Sequence, residues 1–442
     1  MAATDPYIAP RSSLGVARER SNTWRWYICV LLFLATVVNY MDRQTTSSLA
    51  RQIQHEFTLN NEQYGNLELG FGLAFAAGSL LFGWLVDRVG VYWLYPAVLV
   101  GWSLMGVLTG FSQNYNQLLG LRIMLGLFEA GHFPCGLKTV QQLMSSRDRA
   151  MGNSLLQGGT ALGAILAPQA IKLLQRNPDE WRRPFWVIGA GGTAWVLLWL
   201  FSLRPTDLRN HFPAETGTER EASGKKDAEA KTGWAGFWRL VFSRRYLALA
   251  ILVICINLNW HLWRVWLPKF LFEARGYDNR ATLDVTTFYY VAADAGILIG
   301  GAVSAWLARR GWSEYASRIS VFAFCCVLTT LTTAVAVLPA GPLLLITLFL
   351  VGFGGLGSFA AFYTLTQDLS LEHQGKLSGS LATTTWLVSA AIQPRFGSYL
   401  DRTHDYNTVL GLAGWFPVLA LVAILTLWTP SASSRQPTIS ST

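Results

Sequence analysis

Long apolar runs recur along the whole chain, and they constrain its fold more than any other feature. About twelve stretches of the 442-residue sequence are apolar and long enough to cross the roughly 30 Å hydrocarbon layer of a bilayer as helices. Only 14% of the residues are charged, whereas soluble domains have roughly 25%. The sequence therefore predicts an all-α membrane protein with about twelve spans.

A polar segment divides these runs into two sets of six. The predicted spans, numbered 1 to 12 from here on, cover residues 26–48, 61–86, 91–110, 114–143, 150–173, 184–203, 245–272, 283–308, 316–338, 342–369, 376–399 and 407–429. Between spans 6 and 7 the chain contains the charged run Glu219–Asp227, which cannot bury apolar surface. We therefore predict a linker at this point.

The resulting organisation has five parts. We predict a cytoplasmic N-terminal segment at 1–25, a first six-helix half at 26–203, a cytoplasmic linker at 204–243, a second six-helix half at 244–429 and a cytoplasmic tail at 430–442.

Basic residues are concentrated in the loops on one side of the predicted spans. Arg20 and Arg25 precede span 1 and Arg88 follows span 2, while fewer basic residues, such as Arg182 and Arg275, fall on the opposite side. This bias predicts that both termini are cytoplasmic in a cell inner (plasma) membrane. The net charge of +9 comes from these loops and forms no basic domain, so we expect no nucleic-acid partner.

The sequence offers no pattern typical of an enzyme. Its five cysteines lie inside apolar segments without metal-ligand spacing, and we interpret them as buried packing residues. The glycine-rich run Gly352–Gly357 lies inside span 10 with no soluble strand before it, which favours helix packing over nucleotide binding. We expect no metal, no cofactor and no catalytic activity.

Four ionisable residues interrupt the apolar runs: Asp42 and Arg43 in span 1, and Arg122 and Glu129 in span 4. A charge near the bilayer centre costs several kcal/mol, so such residues usually face a protein interior or an aqueous path. Arg122 and Glu129 are seven positions apart, so they share a helix face with roughly 10 Å of rise between them. We expect Gly126 to leave room there for a ligand or an intervening partner. The pattern favours a transporter that moves an anion with protons.

A loop motif follows span 2. Gly83-Trp84-Leu85-Val86-Asp87-Arg88-Val89-Gly90 matches the G-x-x-x-D-R-x-G signature of the major facilitator superfamily. Together with Arg149, we interpret Gly83, Asp87 and Arg88 as a latch, in which Gly83 permits close helix approach and the charged residues pair across the two halves. An ordinary loop ion pair is the alternative.

Further segments resemble one branch of that superfamily, the anion:cation symporters, which includes bacterial hexuronate and galactonate transporters. They are Asn39–Gln44, Arg122–Pro134, Ser145–Ala150, Gln157–Thr160 and Trp266–Leu271. The resemblance implies the major facilitator fold, with twelve transmembrane helices in two six-helix halves around a central cavity. We expect a monomer in the lipid bilayer.

The resemblance also implies roles for individual residues. Asp42 and Glu129 correspond to proton-carrying acids, and Arg43 and Arg122 to basic residues near the substrate or gate; static salt bridges between helices are the alternative. We add further candidates for substrate binding: Tyr40, Gln157, His261, Arg264, Tyr363 and Ser389. Packing between helices is the alternative for Gln157, Tyr363 and Ser389, and snorkelling to the membrane interface is the alternative for Arg264. Asp294 is a candidate for a further proton site, a partner of Arg264 or a gate residue.

These features predict a proton-coupled symporter that imports a small organic anion by alternating access. A sugar acid such as a hexuronate is the first candidate substrate. Another carboxylate, moved by uniport, sodium coupling or exchange, remains an alternative. A membrane sensor is the alternative from another functional class.

Overall fold

The computed structural model describes residues 20–145, 148–177, 180–208, 236–369 and 374–428. The N-terminal residues 1–19, the charged run Glu219–Asp227 of the predicted linker and the predicted tail at 430–442 lie outside the described residues.

Helices are found at all twelve predicted spans. The unbroken ones are span 1 (Asn22–Ser48), span 2 (Asn61–Val89), span 3 (Val91–Thr109), span 5 (Arg149–Leu174), span 6 (Arg182–Ser202), span 7 (Arg244–Lys269, extended by a π-helical turn, Phe270–Ala274), span 8 (Asn279–Arg309) and span 11 (Gln374–Thr403). The described chain thus has the all-helical architecture that the apolar runs predict.

Four spans consist of two helical pieces each. These are span 4 (Tyr115–Glu129 and His132–Leu143), span 9 (Glu314–Thr330 and Thr332–Val337), span 10 (Pro342–Gly357 and Phe359–Leu369) and span 12 (Tyr406–Ala413 and Phe416–Leu427). Short elements outside the spans include the helix Ala50–Phe57 and the 3₁₀ turn Pro205–Leu208. The sequence predicted neither the breaks nor these short elements.

By length and composition, nine helices of the described residues can cross a membrane. The helices at spans 4, 5 and 11 fall outside this set. Span 4 carries Arg122 and Glu129, which lower its mean hydropathy. These three helices pack against apolar neighbours. Span 5 packs against span 1, span 11 against span 2, and span 4 against spans 2 and 3.

Polar side chains fix the starts of several spans. The Ser21 side chain accepts a hydrogen bond from the backbone N–H of Trp24, and Asn60 and Gln63 form a reciprocal capping box at the start of span 2. Asn114, Ser243, Asp278 and Ser313 cap spans 4, 7, 8 and 9 in the same way. Such caps satisfy N–H groups that a helix leaves unpaired at its first turn.

The hydrophobic core shows how the two halves meet. One continuous cluster contains residues of both halves, such as Leu49 and Tyr64 of the first and Trp266 and Leu410 of the second. Two separate clusters, one in each half, lie toward the opposite end of the bundle. We call the end with the shared cluster, which carries the connections 49–60 and 275–278, the closed end.

Polar contacts between the halves cluster at the closed end. Asp401 of span 11 accepts hydrogen bonds from the backbone N–H groups of Asn61 and Glu62, both at 2.9 Å. Lys172 of span 5 forms an ion pair with Asp284 of span 8 at 2.6 Å. The buried Lys269 of span 7 donates to the side chains of Gln54 and Asn61.

Glycines let spans 2 and 11 cross at backbone contact. A Cβ placed on Gly397 would lie 2.1 Å from the carbonyl oxygen of Asn61, and one on Gly65 would lie 2.6 Å from the backbone of Gln393. Real Cβ atoms do not approach other atoms so closely, so this packing requires glycine at both positions.

Candidate functional site

Arg43 and Glu129 form a buried ion pair between spans 1 and 4. Arg43 donates from Nε and Nη2 to Glu129 Oε2 at 3.0 and 2.8 Å, and a weaker contact of 3.4 Å joins it to Asn39. The Glu129 side chain is fully buried at the point where span 4 breaks. The other carboxylate oxygen, Oε1, has no partner in the described structure.

Aromatic rings enclose the Arg43 guanidinium. Its central carbon lies 4.8 Å from the ring centroid of Tyr40, 4.9 Å from that of Phe75 and 5.4 Å from that of Phe71. Trp386 of span 11, in the other half, lies at 5.6 Å. These distances permit cation–π attraction. The rings also separate the ion pair from the space between the halves.

A second buried cluster joins the two halves. Glu68 of span 2 accepts from Arg122 Nη2 of span 4 through Oε1 and from Arg264 Nη2 of span 7 through Oε2, both at 2.7 Å. All three side chains are at most 5% exposed. Glu68 was not among the predicted site residues, although an acid inside the apolar run 61–86 was a usable signal.

Asp42 points away from these clusters. It is 2% exposed, and neither of its carboxylate oxygens has a hydrogen-bond partner in the described structure. Its Oδ1 lies 3.4 Å from the position of a Cβ on Gly106, where span 3 crosses span 6 at Gly189. Asp42 and Arg43 therefore face different neighbours, because adjacent residues on an α-helix point about 100° apart.

The space that we expected between Arg122 and Glu129 is filled. A Cβ on Gly126 would lie 2.4 Å from the carbonyl oxygen of Phe71, so span 2 packs directly against this glycine. The Arg122 guanidinium carbon also lies 4.4 Å from the Phe71 ring centroid. Gly126 therefore serves a helix crossing in this conformation rather than a ligand.

The buried arginines have more donors than partners. Arg122 Nε and Nη1 and Arg264 Nη1 are buried without a hydrogen-bond partner in the described residues. A guanidinium can hold a carboxylate through two parallel hydrogen bonds. The cluster therefore has unused capacity for a second carboxylate.

The other candidates for substrate binding are spread around this cluster. His261 is buried, its Nδ1 accepts a 3.3 Å hydrogen bond from Arg264 Nε, and its ring centroid lies 5.1 Å from that of Trp386. Ser389 is also buried, and its hydroxyl has no partner in the part of the chain described. Tyr363 of span 10 is 53% exposed and close enough to Tyr40 to interact with it electrostatically.

Two candidates lie apart from the arginines in their contacts. Gln157 of span 5 is exposed. Asp294 of span 8 is partly buried, and its Oδ2 has no partner in the described residues.

The residues of the expected latch contact their own half in this structure. Asp87 pairs with Lys138 of span 4 at 2.7 Å, the Arg88 guanidinium lies 4.0 Å from the Trp84 ring centroid, and Arg149 Nε donates to the Met144 carbonyl. A Cβ on Gly83 would meet no atom of the described residues within 4 Å. The close approach expected at Gly83 is therefore not present here, because this motif lies at the end where the core is divided between the halves.

The site thus contains three arginines and three acids inside an apolar helix bundle. Two arginines, one from each half, share one carboxylate and keep free donors, which is a suitable arrangement for a small carboxylate ligand. The third arginine is paired with an acid that has one free oxygen.

The family model of the Major Facilitator Superfamily matches residues 32–394 of this sequence. The chain belongs to the major facilitator superfamily. It is a multi-pass membrane protein with the fold of that family, two six-helix halves around a central cavity.

Several transporters resemble it over most of their length. The D-galactonate transporter of Escherichia coli O6:H1 is 26% identical over 396 residues, which cover 87% of this chain and 91% of the relative. The probable galactarate/D-glucarate transporter of Bacillus subtilis is 25% identical, covering 92% of each chain. The hexuronate transporter of Escherichia coli K12 is 22% identical, covering 92% of this chain and 93% of the relative.

Solved structures of superfamily members share the fold. A bacterial homologue of the human lysosomal transporter Spinster, in an inward-facing and unoccupied conformation, superposes with a TM-score of 0.78 at 17% identity, covering 93% of this chain and all of the other. A D-xylose–proton symporter superposes with a TM-score of 0.72 at 14% identity and the same coverage.

Proposed function

We propose that this superfamily member is a proton-coupled symporter that imports a sugar acid, such as a hexuronate or a galactonate, by alternating access. The names of its relatives, which transport galactonate, hexuronates or glucarate, support this class of substrate.

One observation carries the proposal. Arg122 of the first half and Arg264 of the second half meet on Glu68, and both keep buried N–H groups without partners among the described residues. A substrate carboxylate at this point would contact both halves at once. Transporters of this type bind substrate at the interface between their two repeats, near the middle of the membrane.

The acids next to this site support coupling to protons. Glu129 holds Arg43 while it is ionised, and a proton on Glu129 would release that guanidinium for an incoming anion. Asp42 is buried without a hydrogen-bond partner in the described structure, and protonation would remove the cost of an unpaired buried charge. We assign the coupled protons to these two carboxyl groups.

The direction of transport follows from the predicted orientation. If both termini are cytoplasmic, the closed end faces outside an inner membrane, and the conformation described here is open toward the cytoplasm. Import would then require the contacts of the closed end to break so that substrate can enter from outside. The contacts would form again after the substrate has bound.

The test is uptake into liposomes that contain the purified protein. Labelled D-glucuronate and D-galactonate are supplied with an imposed pH gradient, and Glu129→Gln is compared with wild type. We expect the variant to lose gradient-driven accumulation, because its amide cannot carry the proton, while exchange of internal for external substrate continues. Retained exchange also shows that the variant folds.

Glu62→Gln is the matched control, because Glu62 is an exposed acid in span 2. It should accumulate substrate as wild type does. Full accumulation by Glu129→Gln would remove Glu129 from proton coupling. Accumulation driven by sodium, or only by internal substrate, would replace proton symport with one of the other coupling modes.

A further inference from the structure

Glu68 occupies an unusual position for an acid. It is 4% exposed inside an apolar span, about two turns from the start of the helix, and its two oxygens bind arginines from different halves at 2.7 Å each. Each arginine uses only one of its nitrogens, Nη2, for this contact. Glu68 thus bridges the two halves through two single contacts and does not saturate either guanidinium.

The bridge is made of the groups that a substrate carboxylate would use. A carboxylate of the substrate, like that of Glu68, has two acceptor oxygens that can bind the same N–H donors. Both cannot hold Arg122 and Arg264 fully at the same time. The two ligands therefore compete, unless the substrate takes the unpartnered donors Arg122 Nε and Nη1 and Arg264 Nη1 and leaves the bridge intact.

We propose that Glu68 is an internal substitute for the substrate carboxylate: it holds Arg122 and Arg264 together when the site is empty, and an organic anion displaces it from at least one of them. The inference rests on the proposed function in that it places the transported anion at these arginines. It makes Glu68 a residue that sets how strongly an anion binds.

The surroundings of Glu68 favour displacement over simultaneous binding. Phe71, one turn along span 2, packs its backbone against Gly126 and its ring against Arg122, so the face of Arg122 toward Glu129 is covered. The His261 side chain occupies Nε of Arg264. The place where one carboxylate can contact both guanidinium groups is therefore the position that the Glu68 carboxylate occupies.

Displacement also has a consequence for the two halves. Tyr290 of span 8 bonds to Gln44 of span 1, and Lys269 bonds to Gln54 and Asn61, on the closed-end side of Glu68. Loss of the Glu68 bridge would leave Arg122 and Arg264 as two like charges facing one another across the halves. A bound carboxylate would supply the missing negative charge and hold the halves together again.

The test combines binding and distance measurements on Glu68→Gln in lipid nanodiscs. Spin labels on His55→Cys and Arg280→Cys, exposed positions of the two halves at the closed end, report their separation. The five native cysteines are buried. We expect Glu68→Gln to bind D-galactonate or D-glucuronate at least fivefold more tightly than wild type, because the internal competitor is gone.

The distance between the labels gives an independent readout. Without substrate, Glu68→Gln should show a larger population of long distances than wild type, and the organic anion should shift this population back to short distances. Glu62→Gln, in the same helix, should match wild type in both measurements. Unchanged affinity together with unchanged distances in Glu68→Gln would overturn the proposal.

Glu68→Asp is the second variant, in case the glutamine variant does not fold. It keeps the charge but is shorter by one methylene group, so it should reach one arginine only and show smaller shifts in the same directions. Wild-type behaviour of Glu68→Asp in both measurements would equally contradict the bridge. If wild type binds none of these sugar acids, the proposed substrate class fails, while the distances without ligand still decide the role of Glu68.

Discussion

At the scale of single residues, the Arg43–Glu129 pair shows how a partner stabilises a buried charge in this bundle. Each group would be costly alone in an apolar interior, whereas two hydrogen bonds and the aromatic rings around Arg43 stabilise the pair. Breaking such a pair by removing one partner typically costs about 3–5 kcal/mol.

A double-mutant cycle tests this coupling. Arg43→Gln and Glu129→Gln should each lower the free energy of unfolding by about 3–5 kcal/mol, because each leaves one unpaired buried charge. The double variant should be destabilised by much less than the sum, as measured by denaturant unfolding in detergent. Additive losses would show that the two side chains do not stabilise each other.

A second pair, Arg20 and Asp207, lies outside the membrane-spanning segments and makes the stability of the protein depend on pH. Burial raises the pKa of Asp207, but hydrogen bonds from the Arg20 side chain and the Arg204 backbone N–H hold it below its ordinary value. A lowered folded-state pKa stabilises the protein above the unfolded value of about 3.9, and this contribution is lost as the pH falls through the folded value.

Asp207→Asn should therefore lower the melting temperature slightly at pH 7 and have no effect once the pH is well below the folded-state pKa of Asp207. Because Arg20 is about a quarter exposed, the loss at pH 7 should be at most about 1 kcal/mol. Thermal melts of both proteins from pH 7 downward measure it. An equal difference at every pH would assign the effect to packing instead of charge.

The sequence identified some of these residues and missed others for a physical reason. Arg43 and Glu129 were both identified from the sequence, and the structure pairs them. Glu68 was not identified because its partners are 54 and 196 residues away, so no local spacing connects them. The arrangement of Arg122 and Glu129 on one helix face was predictable, but not the helix that fills the space between them.

At the scale of helices, the crossing of spans 2 and 11 controls the closed end. Backbone contact at Gly65 and Gly397 places Asn61 beside Asp401 and aligns their hydrogen bonds. The bounds of the helices were predictable, because apolar composition and polar caps define them. The breaks in spans 4, 9, 10 and 12 were not, since the residues there differ little from the rest of each apolar run.

A larger residue at this crossing should separate the halves. In Gly397→Ala, the new Cβ would meet the Asn61 carbonyl oxygen, and such overpacking typically costs about 1–3 kcal/mol. The spin-label pair at residues 55 and 280 should then show more of the long distances. Gly120→Ala is the control, because a Cβ on Gly120 would lie more than 4 Å from every neighbour in the part of the chain that the structure describes. Equal distances in the two variants would contradict the role of the crossing.

At the scale of the whole molecule, the two halves share a core at one end and have separate cores toward the other. The sequence predicts two six-helix halves, but it contains no information on which end is closed, because the same residues must form both conformations. The latch motif shows this limit. Its residues match the family signature, yet Asp87 pairs within its own half in this conformation.

Alternating access predicts that fixing the closed end stops transport. Lys172 and Asp284 form an ion pair between spans 5 and 8, so cysteines at both positions should be joined by a short thiol-specific cross-linker. Uptake should fall to background after cross-linking and recover when a cleavable linker is reduced. Cross-linked cysteines at Glu314 and Arg318, within one turn of span 9, should leave uptake unchanged. Undiminished uptake with the closed end fixed would exclude this motion.

The hydrogen bonds that Asp401 accepts from Asn61 and Glu62 have one more consequence. These two amide groups begin a helix of the first half, but a side chain of the second half covers them. Their protons can exchange with deuterium from solvent only when the halves part. The rate of deuterium uptake by a peptide that contains Asn61 and Glu62 would therefore measure the opening of the closed end in a protein without labels or substitutions.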